Sequence, residues 1–197
     1  MKIAKVSGGA SLADPTAPAW ASVESVTVPL QPVPLDAQPT SYIREAWAGR
    51  AYGKTPQASL AAATDGDKLY VRLSWKDDER PNKEFQDAAA AVFADNGGGA
   101  ISTLGDADKP VAMWFWENGR TGANSLISHG PGVVRKEAGS GLAAAGELAG
   151  GSWNVVFGGP MAAARSGRVG IAVWNGSNDE RGGLAAVSRD WVSLEQA

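Results

Sequence analysis

Leu104-Gly105-Asp106-Ala107-Asp108-Lys109-Pro110-Val111-Ala112-Met113-Trp114-Phe115-Trp116 joins a tight polar turn to the most aromatic strand-like run of the chain. Side chains alternate across a strand, so Val111, Met113 and Phe115 share one face while Ala112, Trp114 and Trp116 share the other. Both faces are apolar. A strand that can spare neither face to water belongs in the middle of a sheet covered on both sides, and this decides for a layered β architecture built around it.

Outward from this strand the neighbouring segments keep a period of two. Leu69, Val71, Leu73 and Trp75 alternate with Tyr70, Arg72, Ser74 and Lys76, and residues 58–64 reach them through the turn Asp65-Gly66-Asp67, which makes a hairpin. Val169, Ile171 and Val173 alternate with Arg168, Gly170 and Ala172, and residues 153–157 and 186–194 read as further strands. Asn118-Gly119 and Asn175-Gly176-Ser177 supply turns. Residues 85–93 hold helix-forming alanines, but the run is short and flanked by hairpin-like segments, so a strand is expected there. From residue 44 to 76 the pattern changes to strands. Many short strands with abundant turn residues predict an all-β fold, an antiparallel β-sandwich with long loops and little helix, as a single domain over residues 1–197. Residues 1–40, with Pro29, Pro32 and Pro34, read as an extended arm that wraps the sheet with short edge pairings, its strand candidate at 22–30. Residues 121–151, rich in Gly, Ala and Ser, read as a surface excursion with little core of its own, although 133–134 and 141–148 could make short pairings.

Composition excludes several functions. Lys+Arg 18 against Asp+Glu 21 gives a net charge of -3, which offers no electrostatic case for nucleic acid or an acidic membrane surface. The absence of cysteine removes disulfides, thiolate metal sites, cysteine-held iron–sulfur clusters and thiol nucleophiles. The one histidine, His129, sits in Ser-His-Gly-Pro-Gly, a turn composition that favours a solvated loop residue over a metal ligand. No apolar run approaches a membrane span, so no membrane insertion is expected. The start lacks the apolar core of a secretory signal, which points to the cytoplasm, with the periplasm as the alternative for a processed form. The charged run 76–83 has irregularly spaced carboxylates and reads as a solvated turn rather than a cation site. Neither a nucleophile elbow nor a phosphate-cradling loop occurs, and the pairs Asp77-Asp78 and Asp106/Asp108 fall in turns, so no catalytic residue is expected and the chain is not an enzyme on its own. Eight tryptophans could build a sugar-stacking platform, yet Trp75, Trp114, Trp153 and Trp174 lie in strand patterns that assign them to the core.

One ordered set of motifs stands above this background. Asp14-Pro15 with Trp20, Leu30-Gln31, the strand 69–77, Phe85-Gln86-Asp87-Ala88 with Ala91-Val92-Phe93, Leu104-Gly105-Asp106, and Lys109 to Trp116 occur in sequence. Ala172-Val173-Trp174-Asn175-Gly176-Ser177, Glu180-Arg181-Gly182-Gly183 and Val187-Ser188 before Trp191 complete it. In this order the motifs resemble the ethylbenzene dehydrogenase γ-subunit family. The resemblance implies a β-sandwich that binds haem b and serves as the third subunit of a molybdenum enzyme of the dimethyl sulfoxide reductase superfamily. Its partners in such a heterotrimer are a molybdopterin catalytic subunit and an iron–sulfur subunit, which carry those cofactors, and the γ subunit passes electrons without doing substrate chemistry.

The resemblance also implies a methionine and a lysine as axial haem ligands, and here the chain departs from it. The methionine stands immediately before the Gly-Asp of the turn, where this chain has Leu104. The lysine stands after Glu-Arg-x-Gly and just before Val-Ser, where this chain has Leu184-Ala185-Ala186, with Ala185 the best match. Neither leucine nor alanine offers iron a lone pair. Three readings follow. The chain keeps the fold and the docking role without haem, Leu104 filling the methionine's volume and Ala185 removing a buried amine. Alternatively, haem binds through substitutes, of which Met113 and Lys109 come first and Met161 and His129 complete the set. In the third, the match is architectural and the domain binds carbohydrate or another protein. The first is the expectation taken forward.

Overall fold

The computed structural model describes residues 1–7, 9–79, 84–94, 98–138 and 141–195. In chain order it contains β1 (Ala4–Lys5), α1 (Gly9–Leu12), β2 (Ser25–Pro32), α2 (Ser41–Trp47), β3 (Gln57–Thr64), β4 (Lys68–Lys76), β5 (Ala88–Ala94), β6 (Val111–Glu117) and β7 (Asn124–Ser128). β8 (Val134–Lys136), β9 (Ala143–Ala149), β10 (Ser152–Pro160), β11 (Arg168–Trp174), β12 (Ala186–Ser188) and β13 (Val192–Ser193) follow, with short 3-10 turns between. The fold is all-β and sandwich-like, as the alternating patterns require.

One layer runs β9-β10-β4-β3-β2 and the other β8-β7-β6-β5-β11-β12-β2. β2 belongs to both. Its first residues pair with β3, from Ser25 opposite Ala61 to Pro29 opposite Gln57, and its last three pair with β12, Leu30 lying opposite Ser188. Pro29 has no N–H to give a ladder, and its carbonyl instead accepts from Arg189 N (3.1 Å) where the strand leaves one layer for the other. This corrects the expected wrapping arm: the proline-rich segment forms the strand that joins the layers, not an edge. Residues 44–76 are likewise not all strand. Thr40 caps α2 by accepting from Ile43 N (3.3 Å), and Trp47 buries the inner side of that short helix.

β5 is a strand despite its alanines. All seven of its residues are buried between β6 and β11, where pairing on both sides and small side chains decide against helix propensity. The 121–151 segment holds more order than an excursion. β7 pairs along β6, and β9 pairs with β10 over seven residues, so the segment supplies an edge to each layer. β8 and β9 fall where short pairings were expected, at 133–134 and 141–148, whereas β7 was not expected, since backbone pairing needs no large side chain.

Between the layers lies the main core, with Trp114, Trp116, Trp153, Phe93, Phe157 and Ile171 among its buried members. Two glycines of the facing layer make room for the β6 tryptophans. A Cβ at Gly159 would stand 2.7 Å from Trp114 Cζ2, and one at Gly146 only 2.2 Å from Trp116 Cζ2. Phe93 meets Trp114 edge-on with centroids 4.7 Å apart, and Trp116 meets Trp153 in the same way at 5.0 Å.

Candidate functional site

The other face of β6 carries a second apolar cluster, so both faces of the strand are covered, as its composition demanded. Val111 and Met113 join Ala88, Ala90 and Val92 of β5, Ala172 and Trp174 of β11, and Val187 of β12. The floor is thus largely alanine. The loops that close over it contribute Val33, Ile101, Leu104 and Ala185.

Leu104 and Ala185, far apart in sequence, meet in this one cluster. Leu104 ends a 3-10 turn (Ile101–Thr103) with a left-handed backbone, φ 55, and its N–H donates to Ile101 O at 3.1 Å. Gly105 N donates to Ala100 O (2.8 Å), and Asp106 Oδ1 accepts from Asp108 N and Lys109 N (2.9 and 2.8 Å), which locks the following turn. A left-handed leucine costs about 1–2 kcal/mol, and here it aims a side chain only 2% exposed into the cluster. Ala185 is fully buried, and its carbonyl accepts from Val33 N at 3.0 Å. Gly53 lets the chain pass beside it, since a Cβ there would stand 2.7 Å from Pro32 Cα and 3.1 Å from Ala185 O. Gln38 Nε2 donates to Gly183 O (2.8 Å), and Trp47 and Tyr52, in edge contact at 5.8 Å, pack on Leu184. The helix that the sequence pattern missed therefore clamps the Ala185 segment. Its signal was present in Thr40 followed by apolar Ile43 and Trp47 at helical spacing.

Beside the cluster opens a largely apolar cavity of about 270 Å³, bordered by Ala88, Met113, Phe115, Leu126, Trp174 and Arg181. Neither Leu104 nor Ala185 lines it. Met113 does, whereas Lys109 lies in a separate open depression with Gly98, Asp106, Arg168 and Arg189. His129 is half-buried in its turn, its N–H donating to Val133 O at 2.8 Å, and Met161 packs against the core between the layers. Among the described residues, no group of three or more His, Asp or Glu could hold a metal ion. The residues present do not fit haem held by two side chains: the two positions that the resemblance assigns to the ligands carry no donor, and Met113 and Lys109 open on different spaces.

Three buried carboxylates shape the loops around this face. Glu180 accepts from Asn175 N (2.9 Å), Lys54 N (3.1 Å) and Asn178 Nδ2 (2.9 Å), and burial pushes its carboxyl above the usual range. It fixes the loop in which Trp174 Nε1 donates to Gly182 O (2.9 Å). Asp87 accepts from Gly176 N (2.9 Å) and Trp153 Nε1 (3.1 Å), and burial raises it as well. Asp77 corrects the solvated-turn reading of its run. It is 6% exposed, and burial, with the nearby Asp87 charge second, pushes its carboxyl up to about 6. Residues 80–83 of that run lie outside the described residues. Asp106 and Asp108 do sit in a turn, as expected.

The tryptophans settle the platform question. Trp20, Trp47, Trp75, Trp114, Trp116, Trp153 and Trp174 are buried, and the half-buried Trp191 donates its Nε1 to Gly99 O (3.2 Å). No row of exposed indoles exists for a sugar to stack on, which removes that form of carbohydrate module.

Comparison with solved structures supports the architecture. A family 9 carbohydrate-binding module from Caldicellulosiruptor kristjanssonii, solved with glucose, superposes with a TM-score of 0.55 over 100% of this chain and 95% of its own, at 12% identity. That likeness is one of fold. In sequence, the γ subunit of chlorate reductase from Ideonella dechloratans is 32% identical over 71% of this chain and 65% of its own length. A Haloferax mediterranei protein assigned provisionally as a respiratory nitrate reductase heme subunit is 29% identical over 90% of this chain and 66% of its own. The γ subunit of dimethylsulfide dehydrogenase from Rhodovulum sulfidophilum is 28% identical over 66% and 57%. The chain thus spans about two thirds or less of these relatives. The family described as ethylbenzene dehydrogenase matches residues 17–146, a span that takes in the layer-joining β2, the Leu104 turn and the aromatic strand β6. The Ala185 segment lies beyond it. With the match covering most of the chain and the relatives agreeing with it, the chain belongs to the ethylbenzene dehydrogenase family.

Proposed function

We propose that the chain is a γ-type subunit of a molybdenum oxidoreductase complex, non-catalytic by itself, and that it holds no haem. The observation that carries the haem-free reading is the meeting of Leu104 and Ala185, both apolar and both buried, in one cluster on the outer face of β5, β6 and β11. The names of two relatives, γ subunits of chlorate reductase and dimethylsulfide dehydrogenase, support the subunit role. In this reading molybdopterin and iron–sulfur clusters reside on a catalytic and an iron–sulfur partner. This chain, which has no cysteine, supplies a docking surface and structural support. One observation favours a second reading, haem bound through a non-standard ligand: Met113 is among the residues that line the apolar cavity.

Isolation of the tagged chain from its native host, with elemental analysis and a pyridine haemochrome assay, tests both. Molybdenum and non-haem iron should co-elute with the chain, and the recombinant chain given hemin should show no stoichiometric Soret band. A chain that elutes free of molybdenum overturns the subunit role. A stoichiometric Soret band that Met113→Ala abolishes establishes the second reading instead.

A further inference from the structure

Away from the Leu104 cluster, at the other face of β6, a half-open groove of about 740 Å³ separates the second layer from the 3-10 segment Met161–Ser166. Its floor is formed by Ala112 and Ile127, with only the edges of Phe93 and Trp114, 2% and 4% exposed, showing beside them. Its rim carries two guanidiniums, Arg165 and Arg168, neither of which has an ion-pair partner among the described residues. Glu137, the acid at this rim, is engaged by Arg135 at 3.5 Å. On a chain of net charge -3, two arginines without an ion-pair partner among the described residues, over an apolar floor, are a local exception to the surface at large.

The arginines hang from a fixed turn. Gly167 N donates to Ala164 O (2.9 Å), and Gly167 O accepts from Leu194 N (2.8 Å). Ser166 Oγ accepts from Arg168 N (3.3 Å) and donates to Arg168 O (3.2 Å). Gly98, with φ +66, leaves space that Arg168 uses: a Cβ there would stand 3.1 Å from its Nη1. A rigid turn holding two planar fork donors above an apolar trough suits an anion with a hydrophobic body. A small hydrated inorganic ion would leave the floor unused, and a neutral sugar would leave both positive charges uncompensated.

We propose that this groove binds an organic carboxylate whose ring or short alkyl body lies on Ala112, Ile127 and the edges of Phe93 and Trp114 while its carboxylate bridges Arg165 and Arg168. The site is independent of the haem question, since it shares no residue with the Leu104 cluster.

Titration calorimetry of the full chain with 4-phenylbutyrate, and with 4-phenylbutanol as its uncharged counterpart, tests the proposal. The acid should bind at least about tenfold more tightly than the alcohol, and this preference should shrink at high salt. Arg168→Ala and Arg165→Ala should each weaken the acid about tenfold and leave the alcohol unchanged, with circular dichroism and thermal midpoint as in the parent. Ala112→Leu, which fills the floor and keeps both arginines, should weaken acid and alcohol alike. Equal binding of acid and alcohol, or no binding of either, overturns the proposal. So does tighter binding of a polyglutamate peptide than of the phenyl acid, which would assign the groove to an acidic protein segment.

Discussion

Asp77 follows directly on β4, where its N–H donates to Gly151 O (3.0 Å) and its Oδ1 accepts from Glu79 N (3.1 Å). Sequence gave no reason to separate it from Asp78 and Glu79, both exposed, because charge composition cannot tell which carboxylate of a run tucks beneath a neighbouring turn. Its folded pKa of about 6 stands above the ordinary carboxylate value of 3.8, with burial the first cause. At neutral pH the carboxylate is charged in both states and costs the folded one more. As pH falls from about 6 towards 3.8 the folded chain takes up a proton that the unfolded chain still lacks, so this group favours folding progressively over that window and opposes it above. Asp77→Asn should therefore raise stability at pH 7.5 by about 1–2 kcal/mol, discounted for solvent near the chain surface, or a few degrees in Tm. Thermal melts between pH 4 and 8 check it: the variant should lose the gain on acidification that the parent shows, and identical pH profiles would refute the assignment.

At the scale of elements, period-two alternation located β4, β6 and β11 because their two faces differ or are both apolar in a regular way. β2 and β9 were harder to read. β2 changes layers at a proline, so no single face persists along it, and β9 is held by backbone pairing under side chains that carry almost no pattern. The meaning of Gly146 lay hidden for the same reason: its role is the space it leaves for an indole from the opposite layer. Gly146→Ala should cost about 1–3 kcal/mol in urea denaturation, since Trp116 is wedged against Trp153 and cannot withdraw. Ala145→Ser, on the exposed side of the same strand, should stay within about 0.5 kcal/mol. Asp87 joins three elements at once, standing at the threshold of β5 and accepting from β10 and from the loop after β11. Asp87→Ala leaves the Trp153 Nε1 and Gly176 N donors buried without their acceptor, and should cost about 2–4 kcal/mol in the same measurement.

Across the whole molecule, the resemblance paired Leu104 with Ala185 by motif position alone, and the fold brings both into one cluster through a route no local pattern contains. Leu104 arrives on the turn before β6. Ala185 arrives just before β12, the strand partner of β2, held by α2, Gln38 and Gly53. If these are the positions at which relatives hold iron, restoring the donors should restore the site. Leu104→Met nearly conserves volume and keeps a backbone conformation already tolerated, so alone it should change stability by less than about 1.5 kcal/mol. Ala185→Lys alone introduces an amine where Ala185 is fully buried, and desolvation together with overpacking should destabilise it by several kcal/mol. Only the double variant offers both a thioether and an amine in this cluster. Given hemin, it should develop a low-spin Soret band and recover in thermal midpoint what the lysine lost, because a ligand that binds the folded state alone stabilises it by mass action. The single variants should do neither. A double variant that folds, as circular dichroism reports, yet shows neither band nor thermal shift would mean that the two positions do not face each other across a haem plane, and would end the correspondence on which the haem-free reading rests.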